Sequence, residues 1–184
     1  MRQQSFKFTT WGGSRKKAGR PRVHHPKRLT HRRRPVLKSR FPVLVTWKMK
    51  PDVWNLRSRR CFTALARAFW GGANRLGFRL IHYSVQGNHM HLLVEAKDER
   101  VLSRGMCGLG VRVARSLNRV MQRHGKVLGD RYHARILKTP TEVERARNYL
   151  LDNAHQHFGY RFVDPYASRA PVAAPETFLM RRLC

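Results

Sequence analysis

The sequence predicts an α+β fold: a ferredoxin-like or RRM-like antiparallel sheet with helices on one face and an additional C-terminal helix that bears Tyr149. Three observations point there. Two β-rich runs, 78–85 and 89–96, flank Gln86-Gly87-Asn88, whose glycine and asparagine suit the tight connection of a hairpin. Leu102, Met106, Leu109, Val113, Leu117 and Val120 form one apolar stripe at helical spacing, the mark of a long amphipathic helix. In chain order the segments run strand, helix, strand, strand, helix, strand, helix, which is the split βαβ pattern.

Each element has its local reason. The first strand, 42–49, is a β-branched and aromatic run between Pro42 and Pro51. Ser58 is placed to cap a helix reaching about residue 76, in which Phe62, Leu65, Phe69, Ala73 and Leu76 share a face, and Gly77 ends it. After the hairpin, a helix over about 100–123 keeps Arg104, Arg112, Arg115, Arg119 and Arg123 off its apolar stripe, most of them as a basic ridge. Residues 133–138 read as a short strand, and Pro140-Thr141 opens the last helix, to about residue 158.

The flanks differ from this centre. Residues 1–40 hold 14 Lys or Arg and no acid, so a basic, flexible arm is expected there, with the folded domain over 41–160. Residues 161–184, with Pro165, Pro171 and Pro175 among Ala and Ser, read as a loose tail. The whole chain has 39 Lys and Arg against 10 Asp and Glu, a formal charge of +29. Without the arm's 14, 25 basic residues against 10 acidic ones still leave +15. Such an excess argues against a neutral-ligand enzyme and for a polyanionic partner, nucleic acid above all. Within the arm, Arg15, Lys16, Lys17, Arg20 and Arg22 are candidate DNA contacts. The Gly19-Arg20-Pro21 core resembles an AT-hook, and a generic phosphate-screening tail explains it equally well. Arg112, Arg115 and Arg119 on the ridge, and Arg131 and Arg135 near the last strand, are the candidates in the folded part. No apolar run approaches the roughly 18 residues of a membrane span, so the expectation is a cytoplasmic, nucleoid-associated protein that uses no membrane. Cys61, Cys107 and Cys184 are odd in number and far apart, which supports neither a disulfide framework nor a zinc ribbon.

Two clusters could carry chemistry. Strand alternation sends Met90, Leu92 and Val94 to one face and His89, His91, Leu93 and Glu95 to the other, so the two imidazoles stand side by side, expected on an open face. There they could share a metal ion or a phosphate. On the last helix, Tyr149 and Asn153 are four residues apart and share a face. Tyr149 is a candidate nucleophile and Asn153 a candidate third ligand, with Gln156 and His157 close to the same face as alternatives.

These residues carry a resemblance. Gly87-Asn88-His89-Met90-His91-Leu92-Leu93-Val94 resembles the His-hydrophobic-His strand of the HUH single-tyrosine transposases, the insertion-sequence-200-like superfamily that includes the REP-associated tyrosine transposases. Tyr149-Leu150-Leu151-Asp152-Asn153 is similar to that family's tyrosine helix, and the layout matches over 41–158. Gln86-Gly87 stands where the family commonly has Met-Pro, a change in the turn alone. The resemblance implies metal-dependent nicking and transfer of single-stranded, hairpin-containing DNA through a 5′-phosphotyrosine at Tyr149. It also implies Mg²⁺ or Mn²⁺ held by His89, His91 and Asn153, and a homodimer in which one copy's tyrosine would complete the other's site. The other reading is a non-catalytic, domesticated nucleic-acid-binding protein that uses the sheet and the basic arm.

Overall fold

The computed structural model describes residues 35–158 and 164–181, with the side chains of 153–158 left aside. The arm's candidate contacts Arg15, Lys16, Lys17, Arg20 and Arg22 therefore lie outside the described residues. The elements are β1 (Val43–Lys48), α1 (Arg59–Gly72), β2 (Asn74–Arg75), β3 (Phe78–Val85), β4 (His89–Ala96), α2 (Glu99–Val120), β5 (His133–Ile136), α3 (Pro140–Phe158) and α4 (Phe178–Arg181). They form one antiparallel sheet in the order β2-β3-β4-β1-β5. The crossover from β1 through α1 to β3 leaves a gap that β4 fills, which is the ferredoxin-like arrangement expected.

Local chemistry sets the boundaries. Ser58 caps α1 by accepting from Cys61 N, and Asp98 caps α2 by accepting from Val101 N at 2.8 Å. Thr139 and Glu142 form a capping box around Pro140: Glu142 N donates to Thr139 Oγ1 at 3.2 Å, and Thr139 N to Glu142 Oε2 at 3.3 Å. α1 stops at Gly72, earlier than its apolar spacing implies. Leu76 is not on its buried face but 96% exposed, because Leu76 and Gly77 both take positive φ and make the two-residue turn from β2 to β3.

α1 and α2 pack on the Met90, Leu92 and Val94 face. α2 comes close to the sheet through two glycines: a Cβ on Gly105 would lie 2.2 Å from Phe78 Cγ, and one on Gly110 2.6 Å from Trp47 Cη2. α3 lies over β3 and β4 on the other face and buries Val143, Ala146 and Leu150. The face expected to be open is therefore covered, because α3 carries an apolar stripe of its own.

The described part of the C-terminal segment is not a loose tail. It runs along the edge of β3 that β2 leaves unpaired, with Val85 N donating to Tyr166 O, Ser168 N to Tyr83 O and Val172 N to Ile81 O at 2.8–3.0 Å. Arg57 clamps the buried Asp164 through two bonds of 2.9 Å, and the buried Glu95 accepts from Glu176 N, Thr177 N and Thr177 Oγ1. Prolines exclude regular pairing here, yet these anchors hold the segment against the domain.

Candidate active site

Pairing across the sheet puts Ser84, His91, Thr46 and His133 in one row on the α3 face. His91 is 6% exposed in the middle of β4, and His89, at the strand's start, is half-buried. From α3 above, the Tyr149 hydroxyl reaches to 3.2 Å from His91 Nε2, with the two rings edge to face and 5.1 Å between centroids. The His89 and His91 rings lie 4.9 Å apart at 88°. Tyrosine and histidines of a single chain thus meet in one cleft.

Hydrogen bonds decide how the imidazoles present themselves. His89 Nδ1 lies 2.8 Å from Asn88 Oδ1, and an amide oxygen only accepts, so His89 holds its proton on Nδ1 and offers a lone pair at Nε2. His91 Nδ1 lies 3.0 Å from Thr46 Oγ1. In the same tautomer it donates to Thr46 and accepts the Tyr149 O–H at Nε2. Nδ1 protons tied back in this way are how metal-binding histidines are usually oriented, so the pair fits a divalent ion as a partial donor set. Among the described residues no three His, Cys, Asp or Glu side chains gather around such an ion. The side chains of Asn153, Gln156 and His157 lie outside the described residues.

Comparison with solved structures adds the frame. A REP-associated tyrosine transposase bound to a REP hairpin superposes with a TM-score of 0.62 at 13% identity, over 77% of this chain and 83% of that one. This chain has that transposase's fold. A candidate transposase from Deinococcus radiodurans R1 matches at a TM-score of 0.45 and 16% identity, over 66% of this chain and 94% of the other. No family model and no curated protein matches the sequence.

Within that fold the candidate DNA-contacting arginines separate. Arg115 and Arg119 are exposed on α2, across the sheet from Tyr149. Arg112 is half-buried and folds over the end of α1, close to Gly71 and Gly72. Arg135 shares the α3 side of the sheet but pairs with Glu142 at 3.0 Å, and Arg131 is exposed, its backbone N–H held by Asp130. Beside the site, His82 is buried under α3 with Nδ1 3.0 Å from Ser168 Oγ. Burial first, and then the Arg147 charge, push its pKa down to about 4, so it is neutral near pH 7. Sequence reasoning missed Thr46, whose only trace is a hydroxyl alternating with Val45 and Trp47 on β1. No helix among the described residues is long and apolar enough to cross a membrane.

Proposed function

We propose that the protein is a transposase that nicks and rejoins single-stranded DNA, with Tyr149 as nucleophile and a covalent 5′-phosphotyrosine as intermediate. The observation that carries this reading is the 3.2 Å hydrogen bond between the Tyr149 hydroxyl and His91 Nε2, beside a second imidazole. A strongly basic chain with a transposase fold supports it. The Tyr149 oxygen forms the bond to phosphorus, the bond from phosphorus to the 3′-oxygen breaks, and the phenol's proton is lost as the leaving oxygen gains one. Thr46 and Asn88 favour the tautomer with the proton on Nδ1, in which Nε2 is the lone-pair nitrogen of each ring. His89 and His91, with Asn153 as third ligand, would hold Mg²⁺ or Mn²⁺, which when bound supplies polarisation of a non-bridging phosphate oxygen. By likeness to the hairpin-bound transposase the substrate is hairpin-containing DNA. The basic arm and the exposed Arg115, Arg119 and Arg131 contact phosphates, and the protein works at the nucleoid.

The test is incubation of wild type and Tyr149→Phe with single-stranded hairpin DNA and Mn²⁺, read on a denaturing gel. Wild type yields a cut strand and a protein-DNA adduct; Tyr149→Phe binds the same DNA and yields neither. Equal cutting by both moves the nucleophile elsewhere, and wild type that binds without forming an adduct is a binding protein.

A further inference from the structure

On the far side of the sheet from Tyr149, the end of α1, the β2–β3 turn and the first half of α2 enclose a cleft of about 290 Å³. Arg75 on β2 and Arg104 and Arg112 on α2 line it, and no acid does. None of these three guanidinium groups has a hydrogen bond or ion pair with the described residues. Leu109 and the bare backbone of Gly105 and Gly108 form the apolar part of the wall. Gly105 is demanded by the Phe78 ring, but Gly108 is not demanded by packing: a Cβ there would meet nothing within 4 Å. Glycine in mid-helix costs stability relative to alanine, and what it leaves at 108 is the space of the cleft.

We propose that this cleft seats one nucleotide of single-stranded DNA, its base against Leu109 and the glycine backbone and its flanking phosphates on Arg75, Arg104 and Arg112. The volume is at the small end of ligand clefts, roughly 300 Å³, which suits one nucleotide. A duplex hides the faces of its bases, so an unstacked strand is what enters. Three cations without a facing acid favour the phosphates, and the exposed Leu76 beside Arg75 extends the apolar rim. That the anion is DNA rests on the function proposed above. The cleft itself lies across the sheet from the cleavage site, so the two are separable: it holds a strand that Tyr149 does not cut at that point.

The experiment compares two strands of equal length and charge, an oligothymidine and a wholly abasic strand, binding to the full-length protein. Wild type prefers the oligothymidine. Gly108→Leu, whose Cβ meets nothing within 4 Å and whose side chain takes up the space of the cleft, lowers oligothymidine affinity about fivefold or more and leaves the abasic strand nearly unchanged. Arg104→Gln weakens both strands and lowers the slope of log affinity against log salt by about 1. A Gly108→Leu protein with the wild-type preference overturns the proposal, as does an equal loss on both strands, which would mean that only the backbone binds. Should Gly108→Leu melt early, photocrosslinking of a halogenated oligouridine to wild type decides: crosslinks within 104–112 support the seat and crosslinks confined elsewhere overturn it. A wild type with the base preference but no hairpin adduct sinks the strand-transfer reading and keeps the cleft, and an adduct without the preference does the reverse.

Discussion

The two faces of the sheet are built by different chemistry. Toward α1 and α2 the buried residues are Val43, Val45, Trp47, Met90, Leu92 and Val94, and the fit is one of shape, with the Phe78 ring lodged against Gly105. Toward α3 and the C-terminal segment they include His82, Ser84, His91 and Glu95, and each of these four makes a directional bond: His82 to Ser168, Ser84 to Gln86, His91 to Thr46 and Tyr149, Glu95 to Thr177, while His82 Nε2 and Gln86 Oε1 are buried without a hydrogen-bond partner among the described residues. Apolar packing determines where an element sits and is indifferent to the rotation of a polar atom. A buried polar atom without a partner costs free energy, so meeting it with a hydrogen bond fixes tautomer and aim together. Chemistry that needs an imidazole nitrogen at a set point belongs on the second face.

The hardest way to break the first face is to fill the glycine contact. Gly105→Ala places a Cβ where the Phe78 ring is, and Phe78 is 1% exposed, so the ring must shift and we expect a loss of about 3 kcal/mol in urea unfolding. Adduct formation per folded molecule at saturating DNA should be unchanged, because the cleft lies across the sheet from Tyr149. A loss well under about 1 kcal/mol would show that α2 rides loosely on the sheet and that shape does not hold this face.

Acid tests the second face. His82 has a folded pKa of about 4 against an ordinary value of 6.5, so between those values the unfolded chain binds a proton that the folded chain refuses. Stability is therefore full above pH 6.5, falls as the pH drops toward 4, and levels off below. From pH 7 to pH 5 this one group accounts for about 2 kcal/mol. His82→Gln should flatten the pH dependence of unfolding by that amount relative to wild type; parallel curves would show that His82 is not desolvated as placed.

The sequence made the first face easy to read and the second only in part. Leu102 to Leu117 announce their burial by spacing, and His89 and His91 their shared side by alternation, because both patterns are local. Leu76 fitted the helix spacing and failed, since a turn with two positive φ values overrode it. Thr46 opposite His91 depends on the register between strands 45 residues apart, and Asp164 on Arg57 spans 107 residues, so neither pairing leaves a local pattern. The covering of the histidine face by α3 is likewise a matter of packing direction, which the Tyr149 spacing alone does not fix.

The smallest expected effect on stability is the sharpest test of how the second face works. Thr46→Val keeps the shape of the side chain and supplies what the first face would have at that position. It removes the hydroxyl 3.0 Å from His91 Nδ1, at a cost of about 1 kcal/mol for a buried partner lost. The fold should survive, since β1 pairs through its backbone with β4 and β5 on both sides. With no acceptor at Nδ1, His91 is free to move its proton to Nε2 and donate toward Tyr149 instead of accepting from it. The phenol then loses its aim, and the nitrogen proposed to bind the metal is blocked in a fraction of molecules. We expect adduct formation to fall about 10- to 100-fold, the usual effect of removing an outer hydrogen bond at such a histidine. Thr46→Ser, which restores the oxygen, should recover most of it. If Thr46→Val forms adduct at the wild-type rate while losing its 1 kcal/mol, the hydroxyl only stabilises the strand, and the proposed link between directed hydrogen bonding and function on this face does not hold.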